Sequence, residues 1–371
     1  MVRRLLDLVL MLYRAMQVDP LVDRDALMRL WAANLPVQGD VAAKHRWLYV
    51  DAPTGPSEAF LLRAEPSDDA VGCAGIAQRE LWSAGRVVRA ALLADFAIAR
   101  AHRSGLPAIV LQRAVKPHVD ATFDISYGMP NARAIAIYRR IGYHELGKLA
   151  RYVRVLRHGG YLERRCLERE LSPGLRTAAI VVAHATGTVI DSVSHVLEDA
   201  RTIRPRRESS LVWLADFDTR FDRLWETTRD TFGIACRRDA NFLRWRFLRK
   251  PDERDAIAAV IDRTTDRLRA YAVVRGRPGE LAEVLDAFGP LDALDDLLTL
   301  LSPALYRRGH TAISFRFLGD PRIAALLEAH HFSLRDAQRS VVLSAGASCA
   351  IDRATLFDPA AWYLTDLDED T

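Results

Sequence analysis

Residues 131–147 read NARAIAIYRRIGYHELG and follow directly on the apolar run FDISYGMP at 123–130. Asn131 can accept the free N–H groups of a helix start. Ala134, Ile135 and Tyr138 then share one helical face at i, i+3/i+4 and i+7 spacing from Asn131. Gly142 stops the helix, because glycine takes the left-handed conformation of a C-terminal cap without a Cβ penalty. Upstream, ALLADFAI (91–98) reads as a strand that runs into ARAHRSGLPAIVLQRAV (99–115), where a Ser/Gly/Pro turn opens a second helix. The start of such a helix carries unpaired N–H groups and a positive dipole end, an arrangement that suits a pyrophosphate.

The chain also repeats itself. ALMRLWAANLPVQGDVAAKHRWLYVDAP (26–53) and FDRLWETTRDTFGIACRRDANFLRWRFLRKP (221–251) align Trp31, Trp47, Tyr49 and Pro53 with Trp225, Trp245, Phe247 and Pro251. Downstream, AFLLRAE (59–65) answers AIAAVID (256–262), and ALLADFAI answers AEVLDAFG (282–289). Helices at about 101–115 and 291–305 correspond, as do the strands FDISYGMP and AISFRFLG (312–319) and the helices ending at Gly142-Tyr143 and His331-Phe332. Each copy mixes period-2 strands with helices at 3.6 periodicity, which predicts helices packed on a sheet. The four repeated tryptophans are most simply core.

Together the motif residues of the first copy resemble the GNAT superfamily of acetyl-CoA-dependent N-acyltransferases. The pattern N-x-x-A-x-x-x-Y-x-x-x-G-[FY] is matched in full by Asn131, Ala134, Tyr138, Gly142 and Tyr143. The strand–RxxGxA–helix element is matched in part: Arg103 and Ala108 fit, Gly105 lies one place early, and Leu106 takes the glycine position. The resemblance implies acetyl-CoA or another acyl-CoA as co-substrate, with no metal. It implies cofactor contacts from Ala97, Ile98, Arg103, Ser104, Gly105, Leu106, Ala108, Asn131 and Tyr138. It also implies Tyr138 as the general acid that protonates the departing thiolate, in a direct transfer to an amine without a covalent enzyme intermediate. A positioned hydroxyl suits that task because it meets charge as it develops. Pro107 has no N–H to give such a cradle but is well placed in a first helical turn. For the base, Asp95 on the strand before the turn, Glu80 on the preceding strand and a water relay all stay open. Against these stand plainer readings: Tyr138 as a packed aromatic, Asp95 as a capping or ion-paired carboxylate, His102 as a loop residue.

In the second copy, aligning Phe332 with Tyr143 puts Asp320 at the Asn131 position and Leu327 at the Tyr138 position. The helix start after Pro290 is acidic and would repel a pyrophosphate. The expected fold class is therefore α/β with an α+β mixed sheet, in two tandem GNAT-like domains of which the second is degenerate. Boundaries fall at 1–157, a helical connector at 158–207, the second domain at 208–345 and a tail at 346–371 that is either a docking strand or solvated. The arrangement resembles two-copy bacterial GNAT proteins and FemAB-like transferases. A FemAB-like transferase using aminoacyl-tRNA, and a non-catalytic acyl-CoA-binding scaffold, are the rivals to an acyltransferase. The expected acceptor is a small-molecule or saccharide amine.

Bulk properties set limits on other classes. Half of the 371 residues are hydrophobic and 27% are charged, which supports a sizeable core. A formal charge of +4 is no nucleic-acid footprint, and the runs Arg204–Arg207 and Arg237–Arg238 read as solvated faces. Cys73, Cys166, Cys236 and Cys349 lack metal or redox spacing and read as reduced thiols of a cytoplasmic protein. The run Leu5–Leu12, interrupted by Asp7, is too short to span a bilayer.

Overall fold

The computed structural model of the chain describes residues 12–36, 39–159, 182, 186, 208–251, 254–336 and 339–369. Most of the expected connector, with Cys166 and Arg204–Arg207, lies outside the described residues, as does Leu5 to Met11. The first copy runs β1 (Tyr13–Val18), α1 (Arg24–Asn34), α2 (Val41–His45), β2 (Glu58–Ala64), β3 (Asp69–Ser83), β4 (Arg86–Ile98), α3 (Leu106–Thr122), β5 (Ile125–Gly128), α4 (Ile135–Arg140) and β6 (His144–Val155). The same order returns as β7 (Ser209–Leu214), α5 (Thr219–Thr228), an inserted β8 (Ile234–Cys236), α6 (Ala240–Leu243), β9 (Ala256–Asp262), β10 (Leu268–Arg275) and β11 (Leu281–Phe288). It continues with α7 (Leu291–Arg307), β12 (Ala312–Gly319), α8 (Pro321–Ala329), β13 (Ser333–Leu334) and β14 (Arg339–Ala345). A short α9 (Arg353–Leu356) and β15 (Trp362–Leu364) follow. No helix among the described residues is long and apolar enough to cross a membrane.

Local chemistry explains several of these boundaries. The β3–β4 hairpin turns on Ala84-Gly85, both at positive φ, as a two-residue loop joining right-twisted strands requires. α4 stops at Gly142 (φ +94), and His331 (φ +63) takes the same place after α8. In both copies the short helix before the second tryptophan widens into a single i→i+5 turn, at Arg46–Val50 and Arg244–Leu248.

Those two turns meet. The Trp47 and Trp245 rings stack with centroids 4.9 Å apart, and each indole N–H donates to the other's carbonyl at 2.8 Å. Residue i contacting j while j contacts i in the same way is the signature of a two-fold relation, here within one chain. The final strands are exchanged across the same relation. β6 pairs through Leu149 with β14, and from Ala150 onward with β12 of the other copy. β14 in turn lies beside β5 of the first copy. The sheet is mixed, with parallel pairs β4–β5 and β11–β12 inside an otherwise mostly antiparallel array. One hydrophobic cluster runs through both copies, from Leu27 and Trp31 to Trp245 and Leu343. A second, including Leu111, Val115 and Tyr138, fills the space between the first copy's sheet and α3–α4.

Candidate active site

β4 carries Asp95, Ala97 and Ile98 and leads into the candidate cofactor turn. After Ile98 the chain makes a single tight turn at Arg100–His102, passes through Gly105 at φ +86 and enters α3 with Pro107 in its first turn. No described backbone or side-chain acceptor takes the amides of Gly105, Leu106 or Ala108, and the space beside the Gly105 Cα is open. These residues fit an anion such as a pyrophosphate: donors that a helix leaves unpaired, at the positive end of its dipole. Arg103 braces the turn, its Nε donating to the Ile98 carbonyl at 2.9 Å and its Nη2 to the Asn34 side chain at 3.0 Å. His102 meets the Tyr13 hydroxyl at 2.9 Å, and Ser104 is exposed.

β4 and β5 run side by side from Ala90 to Leu92, where their ladder ends. Beyond that stretch β4 slips against β3: Asp95 and Phe96 stand opposite Ala74 alone, between the pairs Gly75–Ala94 and Cys73–Ala97. Asp95 adopts φ +49 to make this bulge, a conformation few non-glycine residues take. A bulge takes its extra residue out of the strand ladder. The buried Tyr138 ring packs edge-on against Phe96 at 5.9 Å and Tyr143 at 5.3 Å. Asn131 accepts from the amides of Arg133 and Ala134 in the turn that leads into α4, whose own N-cap, Ala134, has no side-chain cap. Ala97 and Ile98 pair with Cys73 and Gly72, between the bulge and the turn.

On the opposite face of β4 the Asp95 carboxylate is held from α2 and from the Arg46–Val50 turn that follows it. Lys44 Nζ donates to Oδ1 at 2.5 Å, and the Tyr49 hydroxyl to Oδ2 at 3.1 Å. Position 75 must be glycine for this, since a Cβ there would stand 2.1 Å from the Tyr49 oxygen. The Lys44 ammonium also lies 5.7 Å from the Trp31 ring, and His45 stacks on Tyr49 at 5.5 Å. Burial holds the His45 imidazole below its ordinary pKa. Glu80 is remote from this cluster. It faces Arg89 across the hairpin, about 20 Å along the strand from Asp95 at ~3.3 Å per residue. There it binds Arg237 at 2.6 Å and lines a cavity of about 740 Å³ with Trp82, Asp222 and Trp225.

The second copy has the same break in its ladder, and the chain itself fills it. β11 and β12 pair from Leu281 to Val284 and then diverge. β15 enters the gap, pairing with Leu318-Gly319 on one side and with β8 on the other. The Tyr363 hydroxyl donates to the Ala287 carbonyl, and a Cβ at Gly319 would lie 1.9 Å from the Trp362 oxygen. Asp286 takes the place of Asp95, paired with Val273 beside a slip of β11 whose extra residue is Leu285. Its carboxylate receives Arg238 through Nε and Nη2 at 3.1–3.3 Å, Tyr271 at 2.7 Å and Thr365 at 2.8 Å. The expectation of a solvated Arg237–Arg238 face therefore fails at Arg238, which is wholly buried between Asp286 and Asp368. Its partners lie 48 and 130 residues away in the chain, and only folding brings them together. Leu327, at the Tyr138 position, is core.

Sequence reasoning passed over Lys44 and Tyr49. The available signal was composition: of 52 basic residues only Lys44, Lys116, Lys148 and Lys250 are lysines. Among the described residues no group of three or more His, Cys, Asp and Glu side chains is placed to hold a metal ion.

No protein-family model matches the sequence, and no curated protein matches it. Solved structures do match in fold. A conserved protein of unknown function from Enterococcus faecalis V583, described as a probable N-acyltransferase, superposes with a TM-score of 0.62 at 10% identity, over 91% of this chain and 73% of its own. A GCN5-related N-acetyltransferase from Anabaena variabilis gives 0.60 at 13% identity, over 89% and 72%. Another from Kribbella flavida gives 0.56 at 14%, over 90% and 71%. At these identities the likeness is one of fold, and the fold is that of the GCN5-related N-acetyltransferases.

Proposed function

We propose that the first copy transfers an acyl group, acetyl in the simplest case, from acyl-CoA to an amine, and that the second copy is a scaffold. The observation that carries this reading is the convergence, at one end of β4, of an anion-ready turn, a cleft between diverging strands, a backbone bulge and Tyr138. Bound acyl-CoA would supply an activated thioester. The Gly105, Leu106 and Ala108 amides would hold its phosphates, with Ala97, Ile98 and Asn131 along the cleft. The bulge would give a backbone donor to the thioester oxygen, where charge develops during attack. Tyr138 would protonate the departing sulfur. Asp95, with Lys44 beside it, is the assigned proton acceptor for the incoming ammonium, and a small-molecule or saccharide amine is the assigned acceptor.

The paired state of Asp95 favours one rival, an acyl-CoA-binding scaffold without turnover. Titration of acetyl-CoA into wild type and Ala108→Glu tests the binding half: heat in the wild type and none in a folded variant is the expected outcome. An amine screen with Tyr138→Phe as control tests turnover. Binding without transfer to any amine selects the scaffold, and no binding at millimolar acetyl-CoA refutes both.

A further inference from the structure

If the first copy acylates amines at the Asp95 bulge, one amine already stands there. Lys44 Nζ is 2.5 Å from Asp95 Oδ1, on a side chain that is 16% exposed. The second copy shows what a purely structural partner for this aspartate looks like. Arg238 grips Asp286 through two nitrogens, is wholly buried and cannot act as a nucleophile at ordinary pH. This chain uses arginine for almost every basic position, four lysines standing among 52 basic residues, yet it places a lysine at the open cleft and an arginine at the filled one. Lysine differs from arginine here in being able to give up a proton to the carboxylate it touches and then attack a carbonyl carbon.

We infer that Lys44 is a self-acylation site, taking an acyl group from an acyl thioester bound in the first cleft. The inference rests on the acyltransferase reading. In the step, the Lys44 ammonium passes one proton to the Asp95 carboxylate, and the neutral nitrogen forms a bond to the thioester carbonyl carbon. The carbon–sulfur bond breaks, and the second proton lost by the nitrogen balances the one delivered to the thiolate. The products are an Nε-acyl-lysine, the free thiol and a protonated Asp95. Once acylated, Lys44 carries no charge to pair with Asp95 and no longer competes as an amine, so the mark sets the state of the base at the same site.

The test is peptide mass spectrometry of the full chain incubated with acetyl-CoA and no acceptor. Exposed Lys148 serves as the internal measure of uncatalysed chemistry, because solution acylation favours the more accessible amine. The expected result is a 42 Da addition at Lys44 at least about tenfold faster than at Lys148, slowed about tenfold or more in Tyr138→Phe and absent without migration to another lysine in Lys44→Arg. Equal or slower labelling of Lys44 in a chain shown by titration to bind acetyl-CoA overturns this inference and leaves the acyltransferase reading standing. Absence of binding overturns the reading beneath it.

Discussion

The two clefts of this molecule begin alike and end differently. In each, parallel strands part after a few residues, and an aspartate sits at or beside a slip in the inner strand, Asp95 in β4 and Asp286 in β11. In the first, the aspartate meets a lysine from α2 and a tyrosine from the Arg46–Val50 turn after it, and a tyrosine on α4 packs on the bulge. In the second, Leu327 replaces that tyrosine, an acidic residue stands in the first turn of α7, and the chain's own C-terminal strand lies in the gap. Arg246 holds that strand's continuation through the Asp366, Leu367 and Glu369 carbonyls. In the second cleft the chain closes on itself. A buried, hydrogen-bonded strand is a good occupant because it satisfies the edge groups that a parted sheet would otherwise leave bare.

The comparison depends first on the two-fold join. Trp47→Ala removes half of the interlocked pair, and a loss of about 3–5 kcal/mol is expected for a buried Trp-to-Ala change. The partner's indole N–H keeps the residue 47 carbonyl but loses its stacked ring. Urea unfolding should show Trp47→Ala and Trp245→Ala costing similar amounts and the double variant less than their sum. Clearly unequal costs would mean the halves do not lean on this join symmetrically.

A functional difference between the clefts is sharpened by Tyr138→Phe, which keeps the ring packing and removes the hydroxyl. A fall of about 100-fold in kcat is expected with acetyl-CoA affinity unchanged. Retained kcat would reduce Tyr138 to the packed aromatic of the simpler reading.

The filled cleft carries its own pH signature. Burial raises the Asp368 carboxyl to about 6, against the opposing pull of Arg238. The folded chain then binds this proton more tightly than the unfolded chain. Asp368 therefore favours folding fully below about pH 4, and that contribution is lost as pH rises through about 6, a difference on the order of 3 kcal/mol. Stability curves of wild type and Asp368→Asn between pH 4 and 7 should diverge by this amount. Parallel curves would show that Asp368 is ionised throughout.

Smallest is a matched pair of glycine substitutions. Gly319→Ala forces a Cβ against the Trp362 carbonyl and should cost about 1–3 kcal/mol as β15 shifts. Gly128→Ala meets the Leu93 Cβ at 3.0 Å and should cost about 1 kcal/mol or less. The reverse order would mean that the first cleft is the tighter one.

Most of this architecture was legible in the residues. The Trp31/Trp47 and Trp225/Trp245 repeat, the Asn131–Tyr143 motif and the Ser-Gly-Pro turn each depend on short-range spacing, and spacing is what sequence records. Asn131 holding the turn before α4 and Gly142 ending the helix follow from backbone preferences local to a few residues. The exchange of β6 and β14 was not legible. Each strand keeps the same alternation whichever copy it pairs with, so the pattern is indifferent to the partner. Lys44 was passed over for a related reason: Lys44 and Asp95 are 51 residues apart, and nothing near Lys44 in sequence names Asp95 as its partner.

By itself the sequence determined that there are two copies, which elements each contains and that Tyr138 has no counterpart in the second, because these are matters of period, spacing and residue identity. Only the tertiary structure decided which carboxylates are paired and with what, that Arg238 is buried, and that the strand after Pro359 occupies the second cleft. Those outcomes rest on contacts between residues tens to more than a hundred positions apart. There the free energy of burying a charge or an unpaired strand edge depends on what the rest of the fold brings beside it.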